Sequence, residues 1–315
     1  MRIPGAHVLS YYVRRLRHRY RQRFFEKGLV GQWHLLWAKV GSSELLDVQP
    51  HTLKKIIAPS DRYWADPFGW KRNGAFFIFC EEVIYGESRG HISAVPVDDE
   101  GNVTGPAIEV IRQPYHLSYP FLFEYEGQLY MLPESGFANV LNLYRCVEFP
   151  GRWERVHTVF EGIQLFDSTL LEHAGRWWLF ATTRNPPQLQ LPDHDLLLFS
   201  AESPLAEKWT PHPGNAIVRG FQRARPGGRM FRHGGRLFRP SQNCRDRYGG
   251  SLNISEITRL DPEHYEERLV REIKPNWEPL RIGLHHLDWH EGILLMDTQR
   301  LVPEREAFHG RSEVS

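Results

Sequence analysis

A strand–turn–strand unit recurs five times between residues 64 and 299, and this internal repeat restricts the possible folds more than any other feature of the chain. The segments WADPFGWKRNGAFFIFCEE (64–82), SYPFLFEYEGQLYMLPES (118–135), FDSTLLEHAGRWWLFATT (166–183), RPGGRMFRHGGRLFRPSQ (225–242) and LHHLDWHEGILLMDTQ (284–299) superpose on one turn glycine each: Gly74, Gly127, Gly175, Gly235 and Gly292. The interval of about 48 to 60 residues is the length of a propeller blade.

Further strand-like runs follow the hairpins, such as His91–Val97 and Ala107–Ile111 after the first, or Val140–Cys146 and Trp153–Phe160 after the second. These give four strands per blade. The fifth hairpin is followed only by a polar tail, 303–315, so Gln32–Val40 and Leu45–Leu53 are predicted to complete its blade. Joining the two chain ends in one blade removes the free sheet edges that invite aggregation. The sequence therefore predicts an all-β fold, a five-bladed β-propeller closed by N-terminal strands, over residues 31–302. Two separate β-sandwiches are the alternative architecture, whereas a doubly wound α/β fold would need helical crossovers that the repeats lack.

Composition narrows the class. A 315-residue chain with 41% hydrophobic residues has enough apolar material for a packed core. The net charge of +1 gives no polyelectrolyte character, so no nucleic-acid partner is expected. Cys80, Cys146 and Cys244 match no metal or redox spacing and read as small buried apolar residues, in odd number, which fits a reducing compartment. No apolar run reaches the roughly 18 residues needed to span a bilayer. Nor does an apolar stretch precede the first arginines as a secretory leader requires, so a cytoplasmic location is expected.

Residues 1–30 differ from the rest. Leu9, Val13, Leu16, Tyr20 and Phe24 form one apolar stripe at helical spacing, and Arg14, Arg15, Arg17, Arg19, Arg21 and Arg23 occupy the other faces. A short basic helix over 8–30 is predicted. It has two readings: an arm lying on an anionic membrane surface, peripheral at the inner face, or a helix packed on the outside of the propeller with its arginines in water.

In a propeller the first strand of each blade lines the central channel, so residues at one repeat offset converge. Eight residues before the turn glycines stand Asp66, Tyr119, Asp167, Gly227 and Leu284, with Trp64, Arg225, Arg229, His285 and His286 beside them. Polar groups at such positions replace the apolar residues of a strand that serves packing alone. Asp66 and Asp167 are candidate catalytic carboxylates for glycosidic chemistry, with Glu134 a third whose pKa burial would raise if it acts as acid. Turn capping and hydrogen bonding between blades are their alternative roles. Arg225 and Arg229 flank a Pro-Gly-Gly stretch suited to bidentate binding of phosphate or carboxylate, or else pair with the aspartates. Trp64 and Tyr119 are candidate stacking surfaces for a sugar ring. His285 and His286, adjacent on a predicted strand, would point to opposite faces, so no metal site and no cofactor are expected. The Pro-rich stretch 184–193 reads as a rim loop over the funnel or an inert insertion.

The Asp-Pro of the first hairpin, with another Asp in a later one, resembles the five-bladed propeller glycosidases of the arabinanase, xylosidase and invertase kind. That resemblance implies base or nucleophile for Asp66 and an assisting role for Asp167, and offers no counterpart for their general-acid Glu. WADPF (64–68), HLSYPFLFEYEGQLYMLPES (116–135), GGR (227–229), HHLD (285–288) and MD (296–297) together resemble the N-terminal domain of plant glucosamine inositolphosphorylceramide transferases and its bacterial relatives. The resemblance covers about residues 32–300 and implies a glycan or glycolipid setting, the recognised glycosyltransferase domain of the plant proteins being a separate C-terminal unit. Three functions follow as expectations. The leading one is an enzyme of glycosyl transfer or phosphorolysis acting on a carbohydrate or sugar-phosphate ligand. The others are a glycoside hydrolase and a non-catalytic glycan-binding module that recruits a separate transferase.

Overall fold

All five hairpins turn on two residues of positive φ: Asn73 and Gly74, Glu126 and Gly127, Ala174 and Gly175, Gly234 and Gly235, Glu291 and Gly292. Positive φ at both central positions is the signature of a type I′ turn, whose twist matches that of the flanking strands. The pairs Arg72↔Ala75, Tyr125↔Gln128, His173↔Arg176, His233↔Arg236 and His290↔Ile293 close each loop at two residues. One local instruction is thus written five times.

The computed structural model describes residues 27–184 and 194–304. Blade one runs Arg62–Arg72, Ala75–Ile84, His91–Val97 and Ile108–Ile111 from the axis outward, and blade two Ser118–Tyr125, Gln128–Glu134, Val140–Glu148 and Arg152–Glu161. Blade three has Phe166–His173, Arg176–Arg184, His194–Ala201 and Thr210–Pro211, with Val218–Arg219 also paired to its third strand. Blade four has Phe231–His233, Arg236–Asn243, Ser251–Leu260 and Tyr265–Ile273. Blade five begins with two short inner strands, Arg281–Gly283 and Leu287–His290, both on Ile293–Pro303. Leu29–Lys39 then pairs antiparallel with Ile293–Pro303 along the full length of both, so the chain ends close the ring as expected.

The outermost strand of blade five is Lys54–Ile56, not Leu45–Leu53. The latter segment follows a 3-10 turn at Ser42–Glu44 and contains another at Pro50–Thr52, where Pro50 has no N–H to give a ladder. The predicted helix over 8–30 falls outside the described residues except at its end, where Gly28 at φ +73 breaks the pattern and Leu29 and Val30 are already strand. The rim-loop reading also falls outside them, as does the polar tail beyond Glu304.

The core lies between the faces of adjacent blades. Phe68 of blade one meets Phe121 of blade two edge to face at 5.5 Å, with Leu122, Met131 and Leu179 buried in the same cluster. Burial of each such side chain contributes roughly 1.5–3 kcal/mol, so the inter-blade faces carry much of the stability. Blades four and five meet tightly at Gly228, where a Cβ would stand 1.8 Å from the Leu287 carbonyl oxygen. No residue but glycine fits there.

Candidate functional site

In blades one to three the first strand carries the same defect at the same place. The registers skip between Ala65 and Phe68, Ser118 and Phe121, and Phe166 and Thr169. Within each bulge Asp66, Tyr119 and Asp167 adopt left-handed φ values of 53°, 45° and 51°. A non-glycine residue in that region costs of order 1–3 kcal/mol and persists only where its surroundings hold it. The three are the residues eight before the turn glycine, so the sequence offset coincides with a repeated backbone bulge that re-aims a side chain.

Asp167 is the hub of a buried ion network. Its carboxylate takes a two-pronged bond from Arg225, with Nη2 donating to Oδ1 at 3.2 Å and Nε donating to Oδ2. Gln242 Nε2 donates to the same Oδ2 at 2.9 Å, and Arg225 Nη2 also reaches Glu134 Oε2 at 3.3 Å. Glu134 Oε2 in turn accepts the backbone N–H of Asp167 at 3.3 Å. Burial alone would push both carboxyls up. At Asp167 the Arg225 charge outweighs burial and holds the group below its ordinary value, whereas at Glu134 burial and the Asp167 charge prevail over Arg225 and push the group up. Two carboxyls side by side with pKa values driven apart are the electrostatic arrangement that an acid and base pair requires.

Asp66 belongs to a second, adjoining network. Its backbone N–H donates to Asp297 Oδ2 at 3.1 Å, and Asp297 Oδ1 accepts the backbone N–H groups of both His285 and His286 at 3.1 Å. His285 Nδ1 lies 2.6 Å from Asp297 Oδ2, while His285 Nε2 and His286 Nδ1 both stand 3.7 Å from Asp66 Oδ1. The two histidines therefore approach one carboxylate, contrary to the expectation that they diverge. The reason is local: residues 284–286 lie in the break between Arg281–Gly283 and Leu287–His290, where strand alternation does not operate. Burial pushes the Asp66 carboxyl up. Burial would lower His285, but the Asp297 and Asp66 charges raise it to about 9, and His286, with burial dominant, falls to about 3.

Other sequence candidates sit elsewhere. The indole N–H of Trp64 donates to Glu82 at 3.0 Å, and its ring is packed in the core with Leu35 and Ile56, so it presents no stacking face. Tyr119 is fully buried at the axis, in ring contact with Phe68 and His286. Arg229 pairs with Asp288 at 2.7 Å, donates to the Leu122 carbonyl oxygen at 2.7 Å and lies over Phe68 and Phe121. Arg225 and Arg229 thus occupy separate networks and form no double clamp.

Two aromatics bring the network to the surface. Tyr248 is 49% exposed, with Arg225 5.0 Å from its ring centroid and His285 edge-on at 5.5 Å. Phe137 is 57% exposed on the 3-10 turn Gly136–Ala138 and rests edge-on against Phe166, the neighbour of Asp167. Sequence reasoning missed both, along with Gln242 and the organising role of Asp297. One signal was readable: seven residues after the turn glycines stand Glu81, Glu134, Thr182, Gln242 and Gln299, a second polar ring on the second strands. Asp297 shares no offset with another blade's acid.

Residues 50–290 match the family model described as glucosamine inositolphosphorylceramide transferase 1, N-terminal. The Arabidopsis thaliana protein of that name is 34% identical over 261 residues, 78% of this chain and 33% of the plant protein. The Oryza sativa subsp. japonica protein is 34% identical over 233 residues, covering 71% and 31%. This chain spans about a third of the length of these relatives. Among solved structures, the α-L-arabinofuranosidase of Lactobacillus brevis superposes with a TM-score of 0.53 at 12% identity, over 74% of this chain and 80% of that one. The GH62 α-L-arabinofuranosidase catalytic domain of Coprinopsis cinerea gives 0.51 at 10%, over 75% and 90%. At those identities the likeness is one of fold. By its match over most of its length, the chain belongs to the family of the glucosamine inositolphosphorylceramide transferase 1 N-terminal domain.

Proposed function

We propose that the propeller binds and processes a sugar within glycan or glycolipid assembly, by glycosyl transfer at the Glu134, Asp167 and Arg225 cluster. The observation that carries the reading is the split pair. Glu134, pushed up by burial, lies beside Asp167, which Arg225 holds down, and Arg225 fixes both. In the reaction, Glu134 donates its proton to the oxygen leaving the anomeric carbon as that bond breaks. Asp167, adjacent to Glu134 on the same guanidinium, accepts the proton of a hydroxyl that attacks from the face from which the leaving oxygen departs, as the new glycosidic bond forms.

Arg225 is committed to two carboxylates, which favours a sugar hydroxyl face over a phosphate at this point. Phe137 and Tyr248 supply apolar surface for the ring. Water in place of the acceptor hydroxyl would make the same centre a hydrolase.

The test is turnover of a panel of glycosyl donors with glycan acceptors, and hydrolysis without acceptor, by the wild-type chain, Glu134→Gln and Asp167→Asn. The expected result is product with wild type and at least 100-fold less with either variant, ligand binding being retained. Binding with no turnover in the wild type favours the recruiting module instead, and neither binding nor turnover rejects a sugar site.

A further inference from the structure

We propose that Asp66, His285 and Asp297 form a binding site for a divalent cation of the zinc or manganese kind, with His286 as an additional donor. The three residues come from blades one and five, are buried to within 3% of complete, and each offers a ligand atom such that all lie within 4.8 Å of one another. His286 is the independent indication. Its ring is fully buried, neither nitrogen meets a partner at hydrogen-bonding geometry although the Pro67 carbonyl is near, and Nδ1 faces Asp66 Oδ1 at 3.7 Å.

Around Asp66 the spacing fits an ion better than direct bonds. His285 Nε2 and His286 Nδ1 each stand 3.7 Å from one Asp66 oxygen, beyond hydrogen-bonding reach. Ligands at roughly 2.0–2.2 Å from a common ion are separated by roughly 3–4 Å, which is this arrangement. Charge points the same way. Asp66 and Asp297 lie side by side with no guanidinium paired to either among the described residues, because Arg225 is engaged by Asp167 and Glu134 and Arg229 by Asp288. Imidazole among the donors favours zinc or manganese over calcium and magnesium, which take oxygen alone.

This site goes beyond the sugar-processing reading and does not rest on it, since Glu134, Asp167 and Arg225 supply no ligand. The full chain, stripped with a chelator, is titrated calorimetrically with Mn2+ or Zn2+ alone, and crystals soaked in Mn2+ are measured for anomalous scattering. One ion per chain is expected, with an anomalous peak between Asp66 and His285. Asp297→Asn is expected to weaken binding by about 10- to 100-fold while Glu134→Gln leaves it unchanged. The anomalous map on the unaltered chain decides the matter even if Asp297→Asn fails to fold. Absence of a peak at the cluster with saturating metal, or ions only on exposed histidines, overturns the proposal.

Discussion

The hydroxyl of Tyr119 accepts the backbone N–H of Gly228 at 2.8 Å. The same oxygen lies 2.7 Å from Thr169 Oγ1, so one side chain of blade two fastens blades three and four at the axis. Its ring touches Phe68 of blade one and His286 of blade five. Tyr119 is thus a five-blade fastening rather than a ligand surface. Tyr119→Phe leaves the Gly228 N–H buried without an acceptor, and a loss of about 1–3 kcal/mol is expected. Urea unfolding measures it, and an unchanged midpoint contradicts the assignment.

Arg229 separates an axial structural role from ligand binding. It neutralises the buried Asp288, whose other oxygen accepts the Gly69 N–H at 2.9 Å. Arg229→Met strands that carboxylate, and the expected destabilisation is about 3–5 kcal/mol. Sugar affinity, measured at a temperature where the variant is folded, should stay within about twofold of wild type. A large loss of affinity at unchanged stability would restore Arg229 to the binding site.

The fold was legible because five hairpins share one glycine offset and one turn type, so each copy corroborates the others. The converging aspartates were legible for the same reason, since Asp66 and Asp167 keep the repeat's phase. Apart from Gln242, what escaped is aperiodic. Asp297 organises Asp66, His285 and His286 from the second strand of blade five without a counterpart at its offset. Tyr248 lies in a turn between strands that no strand period reaches. The divergence expected of His285 and His286 assumed an unbroken strand, and a short interruption in backbone pairing reversed it.

Outside the central cluster, Glu82 contributes to stability against acid. Burial raises this carboxyl, but bonds from His91, Ser93, Trp64 and Arg62 outweigh it and bring the value from 4.5 to about 2. A depressed folded-state pKa contributes stability that is complete above the unfolded value and is lost as pH falls through the folded one. Unfolding free energy should therefore decline between about pH 5 and pH 2, by on the order of 3 kcal/mol from this group. Glu82→Gln should be less stable at pH 7 and show a shallower decline over that window. A variant with the wild-type acid slope places the responsible carboxylate elsewhere.

The rim aromatics give the most direct test of where a ligand sits. Tyr248 and Phe137 are both about half exposed, yet each abuts a member of the buried network, Tyr248 over Arg225 and Phe137 against Phe166. Exposed apolar rings contribute little to folding, so truncating Phe137 should change stability by no more than about 0.5 kcal/mol. If a sugar ring stacks there, Phe137→Ala and Tyr248→Ala should each lower affinity by about 10-fold, the equivalent of ~1.4 kcal/mol. Tyr248→Phe, which keeps the ring, should bind nearly as well as wild type. Isothermal titration with the glycan that binds best reads all three variants, and equal affinities for Tyr248→Ala and wild type would move the ligand away from this end of the funnel.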